Sequence, residues 1–496
     1  MYKLIVPEKH TKLWDLSVQL HDKLDIEILL EDGYLPNKEQ LKTACMVFPR
    51  SSEIIDIITC KICKKIYLTN PSKILRVWAG YRSGEESDIV FVVVTKEENA
   101  DIDFAFDYDL VIRGKEEFSL ENRSVIYQEN VQDLFPTKEV MLDVQRCINK
   151  YVESLTKDHS NLRIIAGSSF KSKRYMKPEP EPDLIKRTCI VFYVHIKGVI
   201  PIKEKEFPKT LTSENSIIYE TDVREGYVDL KAGGWPDEIH TDVKMGCKIG
   251  GMENEDEFGT LGGFLELPRY GLCCLTCAHV LVTEAKGEYE DDEFICYQPN
   301  VGNRKTFGQK RRFGCLRKAH TYAGDTGSDP PKAGLDYALV KLDEDRKPCS
   351  GLFPDIDITE WKTAGFDFPM TYTSGEVFNF DETYRRRRNP IIKYGARTGV
   401  TCGSLAWYGQ CIVQEGRPTL LNQIQINHTR TDEKKQEFSG KGDSGSLVFM
   451  VDNQNTPTAI GLLVCGNAKL GCSYATPICE ILDDINIEKM KSFNQL

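Results

Sequence analysis

From about residue 231 to 477, short runs rich in β-branched and aromatic residues alternate with turns rich in glycine and charge. Helical periodicity is scarce there until residues 478–490. Many short strands with regular turns fold as a sandwich or a barrel, since each strand must bury one face against others. The preceding half reads differently. Residues 11–70 read mainly as helix, from the spacing of Leu13, Leu16 and Leu20 and then of Ile54, Ile55, Ile58 and Ile62. Residues 89–94, IVFVVV, have the look of a buried strand. A helix starts near Pro136 and Thr137, where Val140, Val144, Ile148, Val152 and Leu155 form one apolar stripe. Residues 162–166 and 188–196 read as strands on either side of an extended, charged loop at 176–183. A length of 496 residues accommodates about three domains. The expected division is an α/β region of unread role at 1–135, a small α/β domain at 136–235, and an all-β domain at 236–496.

Charge and cysteine content limit the partners and the compartment. With 75 acidic against 64 basic residues the net charge is -11, which argues against general nucleic-acid binding. The run Arg385, Arg386, Arg387 and Arg388 and the weaker cluster at 310–312 read as solvated loops. Apolar stretches stay far short of the ~18 residues that span a bilayer, and Pro7 and nearby charge interrupt any secretion signal at the start. Seventeen cysteines, an odd number, fit reduced thiols in the cytosol, with the nucleus as the alternative compartment. Cys60 and Cys63 form a CxxC pair with no second pair of ligands nearby.

Three segments of the β-rich half carry chemistry. TCAH at 276–279 delivers His279 to the end of a strand-like run. LDYALVKL at 335–342 sends Asp336 into an alternating strand, where a carboxylate needs a donor such as an imidazole N–H. GKGDSGSLVF at 440–449 flanks Ser444 with glycines, so the backbone can turn tightly and expose the hydroxyl. Each segment alone also fits a structural role.

Together, in the chain order His279, Asp336, Ser444, they resemble the trypsin/chymotrypsin-like serine peptidases, with motifs of the types T-A-A-H, D-x-A-L-x-x-L and G-D-S-G-G. KYGARTGVTCG at 393–403 and FGTLGGF at 258–264 are similar to segments of the non-secreted, bacterial-type branch. IGLLVCG at 460–466 and YATP at 474–477 resemble strands lining the primary specificity pocket. The resemblance covers about residues 240–490. A weaker one links 189–196 and 219–226 to the small domain preceding the peptidase in some such proteins.

The resemblance implies a chymotrypsin-like double β-barrel and a serine endopeptidase that needs no cofactor or metal. Ser444 would be the nucleophile and His279 the general base, with Asp336 orienting the imidazole. The backbone N–H groups of Gly442 and Ser444 would form the oxyanion hole. The position six residues before the nucleophile is Phe438, so an aspartate expected for cleavage after Arg or Lys is absent. Val464, Cys465, Gly466 and Cys472 would add mostly apolar walls, which implies an uncharged P1 residue.

Departures from the pattern matter too. Val280 stands where secreted relatives carry a cysteine, although Cys273, Cys274 and Cys277 cluster nearby and leave a metal site with His279 as an alternative. Lys248-Ile249 resembles a trypsin-type activation cleavage whose freed terminus would pair with Asp443; bacterial-type relatives need none, and Asp443 would then find another donor. The partners expected are protein or peptide substrates, with regulation from the N-terminal half. A catalytically idle scaffold and a sensor that cuts only its own chain remain alternatives.

Overall fold

The structure, a computed structural model, describes residues 8–493 apart from 83–84, 99–106, 116, 118–120, 132–134, 174–182, 227–228, 231–239, 241, 252–257, 283–286, 291–292, 299–311, 329–330, 355–357, 368, 415, 432–433, 436 and 468–469. The charged loop at 176–182 and residues 310–311 of the weaker basic cluster therefore lie outside the described residues. The chain forms two compact units, Met1–Ser119 with Ser154–Leu162 and Val194–Pro208, and Leu120–Glu153 with Arg163–Tyr193 and Lys209–Leu496. Residues 136–235 are divided between the two.

The first unit begins with helices α1 (Glu8–Gln19), α2 (Lys23–Glu31), α3 (Lys38–Val47) and α4 (Glu53–Thr69). Asn37 starts α3 in a capping box, its side chain accepting from Gln40 N–H while the Gln40 side chain accepts in return. A mixed sheet of β1 (Ile74–Arg82), β2 (Glu85–Thr95), β3 (Asp109–Gly114) and β6 (Val199–Pro201) follows, in the order β3-β2-β1-β6. The isoleucine face of α4 and the inner face of β2, with Phe91 and Val93, share one core. The helix expected from Leu13, Leu16 and Leu20 is present, but these leucines are 37%, 50% and 67% exposed while Trp14 and Val18 are buried. Apolar spacing marks a helix; it does not say which face finds a partner. Cys60 and Cys63 both sit on α4.

The other elements before the β-rich half are α5 (Glu121–Val131), α6 (Lys138–Asp158), β4 (Leu162–Lys173), β5 (Asp183–Val194), β7 (Thr210–Thr212), β8 (Ile218–Glu225) and β9 (Asp229–Leu230). Of the α6 stripe, Val144, Ile148, Val152 and Leu155 are buried.

The β-rich half is a double β-barrel. Its first sheet comprises β10 (Lys248–Gly251), β11 (Gly259–Thr260), β12 (Gly263–Leu267), β13 (Gly271–Thr276), β14 (Gly287–Tyr289), β15 (Ile295–Tyr297), β16 (Arg312–Tyr322) and β17 (Leu335–Leu342), with a one-turn helix α7 (Ala278–Leu281) after β13. The order β11-β10-β15-β16-β17-β13-β12 starts and ends on strands joined by only Leu261 and Gly262, so the sheet curls into a half-barrel whose end strands are linked by two residues. After α8 (Ile358–Thr363) and α9 (Phe380–Arg385) come β18 (Ile391–Gly395), β19 (Gly399–Ile412), β20 (Leu420–His428), the short ribbon β21 (Arg430–Thr431) and β22 (Lys434–Lys435), β23 (Leu447–Val451), β24 (Pro457–Asn467), β25 (Cys472–Pro477) and α10 (Ile478–Asp484). Here the order β18-β23-β24-β25-β20-β19 closes through β18–β19 pairing into a six-stranded barrel. Strand β19 also carries β4, β5, β8 and β7 outward as an extension.

One apolar cluster fills both barrels, from Leu275, Leu316 and Val340 to Leu447, Leu462 and Tyr474. Burial of one such side chain is worth about 1.5–3 kcal/mol, which is why alternating strands close on themselves. The guanidinium groups of Arg386 and Arg387 lie 5.0 Å from the Phe378 ring centroid and 4.7 Å from that of Tyr384, so this basic run is partly spent on packing. Among the described residues no helix is long and apolar enough to cross a membrane.

Candidate active site

Strand β13 ends at Thr276, and Cys277 opens the single turn α7 that holds His279. Strand β17 begins one residue before Asp336 and pairs with β13 from Ala338 onward. The register therefore brings the carboxylate up to the turn after β13. Asp336 Oδ2 lies 2.7 Å from His279 Nδ1, and Oδ1 accepts the His279 backbone N–H at 3.2 Å. Both side chains are nearly inaccessible, at 3% and 2%. Burial alone would raise the Asp336 pKa. The attraction and hydrogen bond of His279 outweigh it, with the Arg417 charge adding to them, and hold the carboxyl below its ordinary value. An ionised Asp336 makes Nδ1 the proton-bearing nitrogen. Nε2 is left as a buried acceptor with no hydrogen-bond partner among the described residues.

Ser444 sits in the turn between Gly440 and β23. Gly445 adopts φ +92°, and a Cβ there would lie 2.3 Å from Thr276 Oγ1 and 2.4 Å from the Thr260 carbonyl. The turn is thus pressed against the segment leading into His279, and only glycine fits. The Thr260 N–H donates to the Ser444 carbonyl at 2.8 Å, and the Thr260 hydroxyl donates to the Gly442 carbonyl at 2.8 Å. On the other side Gly445 N–H donates to the Leu463 carbonyl at 2.9 Å. The Ser444 hydroxyl itself donates to the Val464 carbonyl at 2.7 Å. Ser444 is fully buried, and its proton points to Val464 instead of His279 Nε2.

Asp443 has its own donors. Lys393 Nζ is 3.1 Å from Oδ2, and neither side chain has any exposure. Thr398 Oγ1 donates to Oδ2 at 2.7 Å and Gly440 N–H at 2.7 Å, while Arg397 and Thr398 N–H groups donate to Oδ1 at 2.9 and 3.2 Å. Burial pushes the Asp443 carboxyl up, but the Lys393 charge and these donors bring it below its usual value. Burial depresses Lys393 in turn, against the opposing pull of Asp443. An internal lysine thus takes the place that a freed chain terminus would have had. The Lys248–Ile249 bond lies within buried strand β10, Ile249 pairing with Gly259.

The residues expected to shape a pocket are all buried or packed. Val464, Cys465 and Cys472 belong to the shared apolar cluster, and the Phe438 carbonyl accepts the Thr401 hydroxyl at 2.6 Å. Their neighbours converge: the hydroxyls of Ser439 and Ser473 are 2.7 Å apart, and a Cβ on Gly466 would lie 2.5 and 2.6 Å from them. His428 Nε2 lies 3.2 Å from the Ser473 hydroxyl. This polar trio was not singled out from sequence, because its three residues come from segments distant in the chain. Arg417 was missed for the same reason. Lys393 and Thr398 were legible in the KYGARTG string, but not their shared partner.

Cys277 Sγ and ligand atoms of His279 and Asp336 lie within 4.8 Å of one another. The thiol, however, donates to the Leu463 carbonyl at 3.2 Å, and burial raises its pKa well above the ordinary value. A metal would need the thiolate. The cluster therefore packs as hydrogen-bonded support around the His–Asp pair.

No family model matches the chain, and no curated protein matches it. Among solved structures, Cellulomonas bogoriensis chymotrypsin is similar over 51% of this chain and 100% of its own, at 12% identity and a TM-score of 0.31. Nocardiopsis protease (NAPase) covers the same shares at 13% and 0.32. The MamO protease domain from Magnetospirillum magneticum matches 49% of this chain and 97% of its own, at 14% and 0.23. At such scores these likenesses add nothing to the fold, which the strand pairing carries by itself.

Proposed function

We propose that this chain is a serine endopeptidase that cuts protein or peptide substrates through an acyl-enzyme on Ser444. The observation that carries the reading is the buried 2.7 Å contact between His279 Nδ1 and an ionised Asp336, which leaves Nε2 as an acceptor. For attack the Ser444 hydroxyl must exchange the Val464 carbonyl for Nε2. As Oγ bonds to the scissile carbonyl carbon, His279 takes the hydroxyl proton, and Asp336 stabilises the imidazolium without becoming protonated. The N–H groups of Gly442 and Ser444 serve the oxyanion, each worth on the order of 10²–10³ in rate. His279 then protonates the leaving amine. Water attacks the acyl ester by the same route, and Ser444 recovers its proton.

Val464, Cys465 and Cys472, packed in the shared apolar cluster, and Phe438 in place of an aspartate support an uncharged P1 residue, with the Ser439 and Ser473 hydroxyls beside Gly466 as neutral polar contacts. Profiling with a peptide library tests this, and a strict Arg or Lys preference overturns it. That all seventeen thiols are free supports a reducing compartment such as the cytosol.

Fluorophosphonate labelling of wild type, but not of Ser444→Ala or His279→Ala, is the expected result. The second reading, an idle scaffold, is favoured by the Ser444 hydroxyl resting on Val464. Turnover that disappears in Ser444→Ala excludes it. The N-terminal half would recruit substrates or restrain the site. A truncation that tests this must spare β4, since Ile164 and Ile165 pair with β19.

A further inference from the structure

Strand β24 changes neighbours beside Ser444. Up to Leu462 one of its edges pairs with β23, and the turn holding Ser444 then continues the contact, with Leu463 N–H donating to the Ser446 carbonyl at 2.9 Å. On the opposite edge the β25 register slips between Leu463 and Cys465, and the Val464 carbonyl takes the Ser444 hydroxyl. One residue further on, Cys465 and Gly466 pair on one side with Tyr474 and Ser473. On the other side they pair with β9, with Cys465 opposite Leu230 and Gly466 opposite Asp229. Beyond the nucleophile's turn, the strand edge left over by β23 is therefore filled by this chain's own residues 229–230.

Direction matters as much as position. The pairing is antiparallel, so advancing from Asp229 to Leu230 moves back from Gly466 to Cys465, toward Val464 and the Ser444 hydroxyl. An extended peptide added to a sheet edge in this direction presents its next carbonyls to the nucleophile. An external peptide recognised through the backbone of Cys465 and Gly466 would need the same N–H and C=O groups.

Building on the peptidase reading above, we propose that Asp229–Leu230 is a resident peptide strand in the substrate position, so that the site's first ligand is its own chain and extended peptides bind only by displacing it. Occupancy sets the size of the effect. A strand in place nine-tenths of the time weakens apparent peptide affinity about tenfold.

The test uses the full chain. In a Ser444→Ala background, affinity for a fluorescein-labelled peptide of sequence GYVDLKAGGW, residues 226–235, is measured by anisotropy with and without Asp229→Pro and Leu230→Pro. Proline removes the N–H groups of the ladder and disfavours pairing. Circular dichroism melts check the fold, and a paired Asp229→Gly, Leu230→Gly variant provides a milder perturbation. Binding about tenfold or more tighter in the proline variant, with a smaller gain for the glycine variant, is expected. Equal affinity in folded variants overturns the proposal. Fluorophosphonate labelling with Ser444 intact separates the two readings. Tighter binding without labelling keeps the resident strand and removes the peptidase, whereas labelling with unchanged binding does the reverse. Self-cleavage just beyond Leu230, at the residue that would follow it toward Val464, supports the same seating when Ser444→Ala abolishes it, read by intact mass.

Discussion

Lys393 and Asp443 face each other at 3.1 Å with no exposure on either side chain, and Asp443 immediately precedes the serine that the turn presents. The ion pair makes this turn's shape a property of the folded chain, independent of any cut at Lys248–Ile249. Removing one member of a buried pair leaves an uncompensated charge and typically costs about 3–5 kcal/mol. Lys393→Met is expected to lower the unfolding free energy, read from urea melts, by an amount in that range. A stability within about 1 kcal/mol of wild type, the value for an exposed pair, would show that the pair contributes little.

Asp336→Asn keeps the shape of the side chain but removes the charge that fixes the His279 tautomer. On the peptidase reading, turnover falls on the order of 10⁴-fold while the fold is retained. Peptide hydrolysis and a thermal melt on the same preparation check both halves.

Gly445→Ala places a methyl group about where Thr276 Oγ1 and the Thr260 carbonyl already sit, at a φ that L-residues rarely adopt. A loss of roughly 1–3 kcal/mol is expected, along with loss of probe labelling. An unchanged melting temperature would mean the turn can relax.

Acid stability follows from the two carboxylates. Asp336 and Asp443 both have folded pKa values below their unfolded ones. The folded state therefore binds fewer protons than the unfolded state between those values. Their stabilisation is complete above about pH 4, the unfolded aspartate value, and is lost as the pH falls further through the folded values. Denaturant midpoints that are flat from neutrality to about pH 5 and drop below pH 4 are expected, and the drop should be smaller in Asp443→Asn.

Thiol accessibility gives a simple check of the packing. Cys60 and Cys349 are the exposed cysteines, and Cys349 donates to Asp242 at 2.9 Å, which raises its pKa. Burial pushes Cys247, Cys273 and Cys472 up to about 12. Iodoacetamide at mildly alkaline pH should modify Cys60 first, then Cys349, and the buried three only after unfolding. Early modification of Cys273 would contradict the barrel packing.

Strand alternation in the sequence was enough to read the β-rich half as a sandwich or a barrel, and the resemblance of three short segments, taken in chain order, singled out the double barrel and His279, Asp336 and Ser444. It also read residues 11–70 mainly as helix, the first of which spans Glu8–Gln19. The side of that helix that is buried was decided by packing, since Leu13, Leu16 and Leu20 satisfy the spacing as well as Trp14 and Val18 do. Only the tertiary structure could pair Lys393 with Asp443, gather Ser439, Ser473 and His428, and seat Asp229–Leu230 on the edge of β24. Each of these joins segments tens to hundreds of residues apart. Their geometry depends on the closure of the second barrel, and no local periodicity encodes which strand edge is left open or what fills it.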